Sequence, residues 1–150
     1  MRVALAVLLL CGSIMGCTSF AQGSLPASGA EQDDGGSVIQ RLAHIAALER
    51  AGTEFVVPRM CYSACTLYIG LSTACFREDG WLGFHSSWYN GASTAETEDW
   101  VSRFNFLMAS VYAVKSVRLA NWFLEGPAKE RKLTMVRASE LIERGEVRGC

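Results

Sequence analysis

The sequence predicts an α/β fold, on three observations. Short apolar runs that suit buried strands, "TEFVVP" and "GWLGFHSSW", alternate with longer segments whose apolar residues recur at helical spacing. A glycine pair, Gly35 and Gly36, stands ahead of the first of those segments, and glycine-rich turn, helix, strand, helix is an α/β order. The chain of 150 residues is 50% hydrophobic with a formal charge of -1, which leaves room for one domain with a core. That charge balance gives no reason to expect a nucleic-acid partner.

The first residues, "MRVALAVLLLCGSIMGCTSFAQG", place Arg2 before an apolar run from Val3 to Leu10 and then small residues. This is the arrangement of a secretory signal, and residues 1–21 are assigned to it. The run is too short for a stable membrane-spanning helix. "SFA" before Gln22 offers the small residues that a signal peptidase reads, and "IMGC" makes Cys17 a lipidation candidate. Met15 suits the lipidation motif poorly, which favours the soluble product; a membrane partner enters only through Cys17. Export to the periplasm or the medium makes Cys61, Cys65, Cys75 and Cys150 disulfide candidates. Four cysteines allow three pairings, and a bridge from Cys75 back to Cys61 or Cys65 is the favoured one.

"GSLPASGAEQDDGG" is small and polar, so residues 22–34 are expected as a linker and residues 35–150 as the domain. "SVIQRLAHIAALERAG" carries Val38, Leu42, Ile45, Ala46 and Leu48 at helical spacing, with Ser37 as cap and Gly52 as stop. "TEFVVP" is a short buried strand closed by Pro58. "SACTLYIGLSTA" suits a buried helix beginning near Ser63, and "GWLGFHSSW" is a second buried strand that runs into the polar loop "YNGASTAETED". "WVSRFNFLMASVYAVKSVRLANWFL" has Trp100, Phe104, Leu107, Met108, Val111 and Val114 at helical spacing, and Arg103, Lys115 and Arg118 argue against a membrane span. The tail "TMVRASELIERGEV" predicts a short helix capped at Ser139 and stopped by Gly145.

A serine at a strand-to-helix turn exposes its hydroxyl, and the unpaired N–H groups of the helix start favour an oxyanion beside it. Ser63 is therefore the candidate nucleophile and Ala64 a candidate N–H donor. Of the two histidines, His44 lies within the first helix, whereas His85 ends a strand where it opens into a loop and is the better base. Gly35 and Gly36 offer a second backbone donor, because glycine lets the chain turn an N–H toward a substrate carbonyl. A zinc site of Cys61, Cys65, Cys75 and His85 is the rival, but its spacing matches no familiar closed zinc pattern. Trp81, Trp88, Trp100 and Trp122 suit core and interface burial, with two of them flanking His85.

Gly-Gly, helix, strand, "CYSACT" and then "GFH" is an order that resembles the Clp-protease-like branch of the ClpP/crotonase superfamily, in particular its small secreted bacterial members. The resemblance implies a ClpP/crotonase-like βαβ spiral, here short at its amino-terminal side, where family members carry strands ahead of the glycine pair. It implies a serine peptidase acting on a peptide or protein, without a cofactor or metal, assembled as a homo-oligomer. Ser63 would attack, His85 would act as base, and N–H groups of Gly35 or Gly36 and of Ala64 would hold the oxyanion. The family's orienting acid has no counterpart in "RKLTMVRA", which begins at Arg131; Glu130 and Asp99 are the nearest substitutes. The alternative function is a binding or scaffold protein of the cell envelope that keeps the fold without turnover.

Overall fold

The computed structural model describes residues 25–88 and 94–150. The expected signal segment, its cleavage positions and Cys17 lie outside the described residues. In chain order the elements are β1 (Gln32–Asp33), α1 (Val38–Ala51), β2 (Phe55–Val56), β3 (Met60–Tyr62), a 3-10 helix (Ser63–Gly70), β4 (Ala74–Cys75), β5 (Trp81–Phe84), α2 (Ala95–Ala113), α3 (Val117–Glu125), a 3-10 turn (Pro127–Lys129), β6 (Thr134–Arg137) and α4 (Ala138–Glu143). The architecture is mixed α/β, with one sheet in the order β1-β3-β5-β6 and a small sheet of β2 and β4. The pairs β1–β3 and β3–β5 are parallel, and β6 closes the sheet antiparallel to β5.

The first helix follows its sequence signals. The Ser37 hydroxyl accepts the Gln40 N–H at 3.3 Å, and Gly52 ends α1 at φ 62, a left-handed conformation that glycine adopts without cost. The long apolar segment is not one helix. It breaks after α2, where the Ser116 hydroxyl accepts the Leu119 N–H at 3.1 Å and starts α3, because a side-chain cap offers the backbone an alternative to continuing the helix. Ser139 is not the cap of α4 but lies inside it; the helix begins at Ala138, whose N–H donates to Gly80 O at 2.9 Å.

Four strands, β1, β3, β4 and β6, were not marked by apolar runs. "FVVP" yields β2, which belongs to the small sheet, while the strand leading to Ser63 is β3, from "MCY". Segments of two to four residues are too short for the alternation that identifies strands. The expected linker is also corrected: from Gln32 it pairs with β3, and Asp33 is buried. A strand therefore does precede the glycine pair.

The segment after Ser63 winds as a 3-10 helix with Ala64 through Ile69 all buried, packed between α1 and α2. Tyr112, Phe123 and Phe84 complete the core around it, with Tyr112 edge-on to both other rings at 5.2 and 5.7 Å.

The favoured cysteine pairing is overturned. Cys61 bonds Cys65 across the junction of β3 and the 3-10 helix, and Cys75 bonds Cys150. Backbone pairing decides this, since Phe76 N–H donates to Arg148 O and Cys150 N–H to Phe76 O, which lays the tail beside β4. The second bridge closes a loop with a sequence separation of 75, the first one of 4. Chain-entropy cost grows with the loop, giving about 4 kcal/mol for the long bridge and about 2 kcal/mol for the short one. Urea unfolding under non-reducing conditions should therefore find Cys75→Ala with Cys150→Ala roughly twice as destabilising as Cys61→Ala with Cys65→Ala. Equal losses would reject loop closure as the main contribution.

Candidate functional site

The three parallel strands end side by side, because Asp33 is in register with Cys61 and Cys61 with Leu82. Gly35 and Gly36 follow β1, Ser63 follows β3 and His85 follows β5. Ligands of open parallel sheets bind outside such carboxyl ends. Residues far apart in the sequence are thus delivered to one edge.

Ser63 has φ 55 and is the sole non-glycine residue with positive φ among the described residues. That conformation costs a residue with a side chain about 1 kcal/mol or more and persists only where the surroundings enforce it. Three restraints are present. The Cys61–Cys65 bridge ties the residues on either side. The Thr66 hydroxyl donates to Ser63 O at 2.7 Å and receives the proton of the Tyr112 hydroxyl at 2.6 Å. Burial pushes the Tyr112 phenol well above its ordinary value, so it stays a donor. The third restraint is Gly35: a Cβ on it would lie 2.6 Å from Ser63 Cβ and 2.7 Å from Tyr62 O, so only glycine fits against this turn.

Both glycines hold φ near 100, at 99 and 100. They are not equivalent as donors. The Gly35 N–H is spent on Asp33 Oδ1 at 2.9 Å, while Gly36 lines the cavity that Ser63 and His85 share. Ala64, second in the 3-10 helix, has an N–H of the kind that a helix start leaves without an intrahelical acceptor.

A buried polar network holds the glycine turn from beneath. Arg41, 2% exposed, sits in α1, with its Nη1 2.7 Å from Asp33 Oδ2. Its Nη2 donates to Asp33 Oδ1 at 2.9 Å and to Gly35 O at 2.8 Å, and Nη1 donates to the Tyr68 hydroxyl at 2.7 Å. That hydroxyl is buried and already accepts from Arg41, so its own proton goes to His44 Nδ1 at 2.6 Å. His44 is then a neutral acceptor, in accord with burial, and secondly the Arg41 charge, lowering its pKa below the usual 6.5 against the pull of Asp33.

His85 is half-buried, and its Nδ1 donates to Ser86 O at 2.6 Å, which leaves the lone pair on Nε2. Ser63 and His85 line the same cavity without a hydrogen bond between their side chains. The cavity, of about 600 Å³, has an apolar wall from Val38 and Ile39 of α1 and from Trp100, Val101, Phe104 and Met108 of α2. Trp100 stacks on Phe104 at 5.6 Å, and Trp88 and Trp100 are exposed at its rim, so these two tryptophans belong to the cleft rather than the core. Trp122, by contrast, packs edge-on against Phe84 at 5.2 Å, and Trp81 lies under Arg137.

No protein-family model matches the chain, and no curated protein matches it either. Its chemistry rests on the geometry. Cys61, Cys65 and Cys75 are in disulfides and offer no thiolate to a metal, and among the described residues no group of three or more His, Cys, Asp or Glu is placed to hold one. Two disulfides fit an oxidising compartment, and among the described residues no helix is long and apolar enough to cross a membrane.

Sequence reading missed Asp33, Arg41 and the Thr66–Tyr112 pair. Arg41 carried a usable signal: it lies three residues after Val38 and four before Ile45, on the buried stripe of α1. A charge there needs a buried partner. Removing Arg41 strands the Asp33 carboxylate, so Arg41→Met should lose about 3 to 5 kcal/mol of stability in urea unfolding. Adding Asp33→Asn should restore most of it; no recovery would mean that the pair is not the source. His44 predicts a pH dependence. A histidine with a folded-state pKa below the unfolded value stabilises fully above about 6.5 and progressively less as the pH falls below it. His44→Gln should therefore flatten the decline in unfolding free energy on acidification, and an unchanged slope would exclude the neutral acceptor.

Proposed function

We propose that this chain is an exported serine hydrolase, a peptidase of the ClpP/crotonase type, with Ser63 as nucleophile and His85 as base. The observation that carries the reading is the positive φ of Ser63 at a strand-to-helix turn, on the wall of a cavity that also holds His85. A backbone of that kind lifts a serine hydroxyl out of the sheet toward a substrate, and strain of this kind clusters at functional sites.

In the proposed cycle, Ser63 Oγ attacks the substrate carbonyl carbon while its proton passes to His85 Nε2. The N–H groups of Gly36 and Ala64 hold the oxyanion. His85 returns the proton to the leaving amine as the C–N bond breaks, and water, activated by the same ring, hydrolyses the acyl ester on Ser63. The cycle calls on no metal or organic cofactor. The same reading makes the protein periplasmic or secreted, held at the membrane only if Cys17 is acylated, and assembled as a homo-oligomer; the two disulfides support the compartment.

A second reading, a binding or scaffold protein of the envelope without turnover, is favoured by the lack of a carboxylate on His85 and of a bond from its ring to Ser63. A fluorophosphonate probe separates the two. Oxidised wild-type protein should be labelled on Ser63, Ser63→Ala should take no label, and His85→Ala should react at least about a thousandfold more slowly. Absence of Ser63-dependent labelling leaves the scaffold reading in place.

A further inference from the structure

A serine–histidine pair ordinarily has its imidazole oriented by a carboxylate, and neither substitute supplies one here. Asp99 is held by Arg103 at 2.8 Å on α2. Glu130 approaches the segment through its backbone, whose carbonyl accepts the Ser86 N–H at 2.7 Å. The group that Nδ1 meets is a peptide oxygen, Ser86 O. Such an oxygen carries partial negative charge and cannot take the proton, so once fixed it holds Nδ1–H toward itself and leaves Nε2 to act as base.

Fixing it is the difficulty, since residues 85–88 lie in a loop after β5 with no regular structure. Asn105 of α2 supplies the fixation. Its Oδ1 accepts the Ser87 N–H at 2.7 Å, and its Nδ2 donates to the Ser86 hydroxyl at 2.9 Å and to Ala128 O at 2.9 Å. Asn105 is 6% exposed, beside the core residues Met108 and Ala109 one turn further along α2. Burying an amide in a core helix is costly unless its bonds are made. Here they are made to the two residues after His85 and to the 3-10 turn behind them.

The geometry points to Asn105 as a positioning residue that locks Ser86 O into the place of the orienting acid, so that a carbonyl holds the His85 ring that serves Ser63. The role rests on the reading of Ser63 as nucleophile and extends it. It also explains how a chain without the expected carboxylate keeps His85 in one tautomer.

Long-range proton–nitrogen NMR of the imidazole rings, assigned with His44→Gln, tests the inference on the whole mature chain. Neutral His85 in the wild type should carry its proton on Nδ1. Asn105→Asp keeps the shape and the acceptor for Ser87 but loses both donors. It should shift His85 toward Nε2–H and slow fluorophosphonate labelling about a hundredfold, as a misplaced catalytic group does. A wild-type ring protonated on Nε2 overturns the proposal, and this measurement needs no variant. So does a folded Asn105→Asp with unchanged tautomer and labelling within twofold of wild type. A wild-type ring protonated on Nδ1 that shifts in Asn105→Asp, on a protein that takes no label, upholds the positioning and sinks the hydrolase.

Discussion

Ser63 occupies a backbone conformation that a residue with a side chain ordinarily avoids, and much of the surrounding structure serves to enforce it. Relaxation would need the turn between β3 and the 3-10 helix to open. The Cys61–Cys65 bridge closes that turn covalently, the Thr66 and Tyr112 hydroxyls hold its carbonyl from the side of α2, and Gly35 packs directly against its Cβ. The restraints draw on the start of the 3-10 helix itself, on Tyr112 of α2 and on the glycine turn after β1. A strain of about 1 to 3 kcal/mol is affordable when spread over packing of this kind.

The same logic organises the glycine turn. Asp33 and Arg41 form a buried ion pair, which on energetic grounds is weak evidence for stability, because the cost of desolvating two charges offsets most of their attraction. What the pair does provide is direction. Asp33 accepts the Gly35 N–H and Arg41 donates to the Gly35 carbonyl, so Gly35 is held through the peptides on both its sides, and Gly36 is left to face the cavity. Tyr68 and His44 extend the network, with Tyr68 accepting from Arg41 Nη1 and donating to His44 Nδ1. The Cys61–Cys65 bridge on either side of Ser63 belongs to the same scaffold.

Several features were legible because their causes are local. Ser37 caps and Gly52 stops α1, since capping and left-handed termination need only a few neighbouring residues. Ser63 and His85 stood out because each lies where one element hands over to the next. The short strands β1, β3, β4 and β6 were not legible, because two to four residues carry too little periodicity. The division of one apolar stretch into α2 and α3 was hidden because helical spacing continues across the break. Asn105 was hidden for the opposite reason: a lone amide in a helix has no local partner, and all three of its bonds are to distant residues.

By itself the sequence determined the α/β class and the first helix with its cap and stop, and it marked Gly35, Gly36, Ser63 and His85 as candidate site residues. Only the tertiary structure decided the cysteine pairing, the partner of Arg41, which glycine faces the cavity, and the hydrogen-bond partner of His85 Nδ1. The physical reason is common to all four. Pairing between β4 and the tail, burial of a charge, the approach of two backbones and a carbonyl held by α2 are long-range contacts, and their energies depend on separations that exist only once the strands β1, β3 and β5 lie in register.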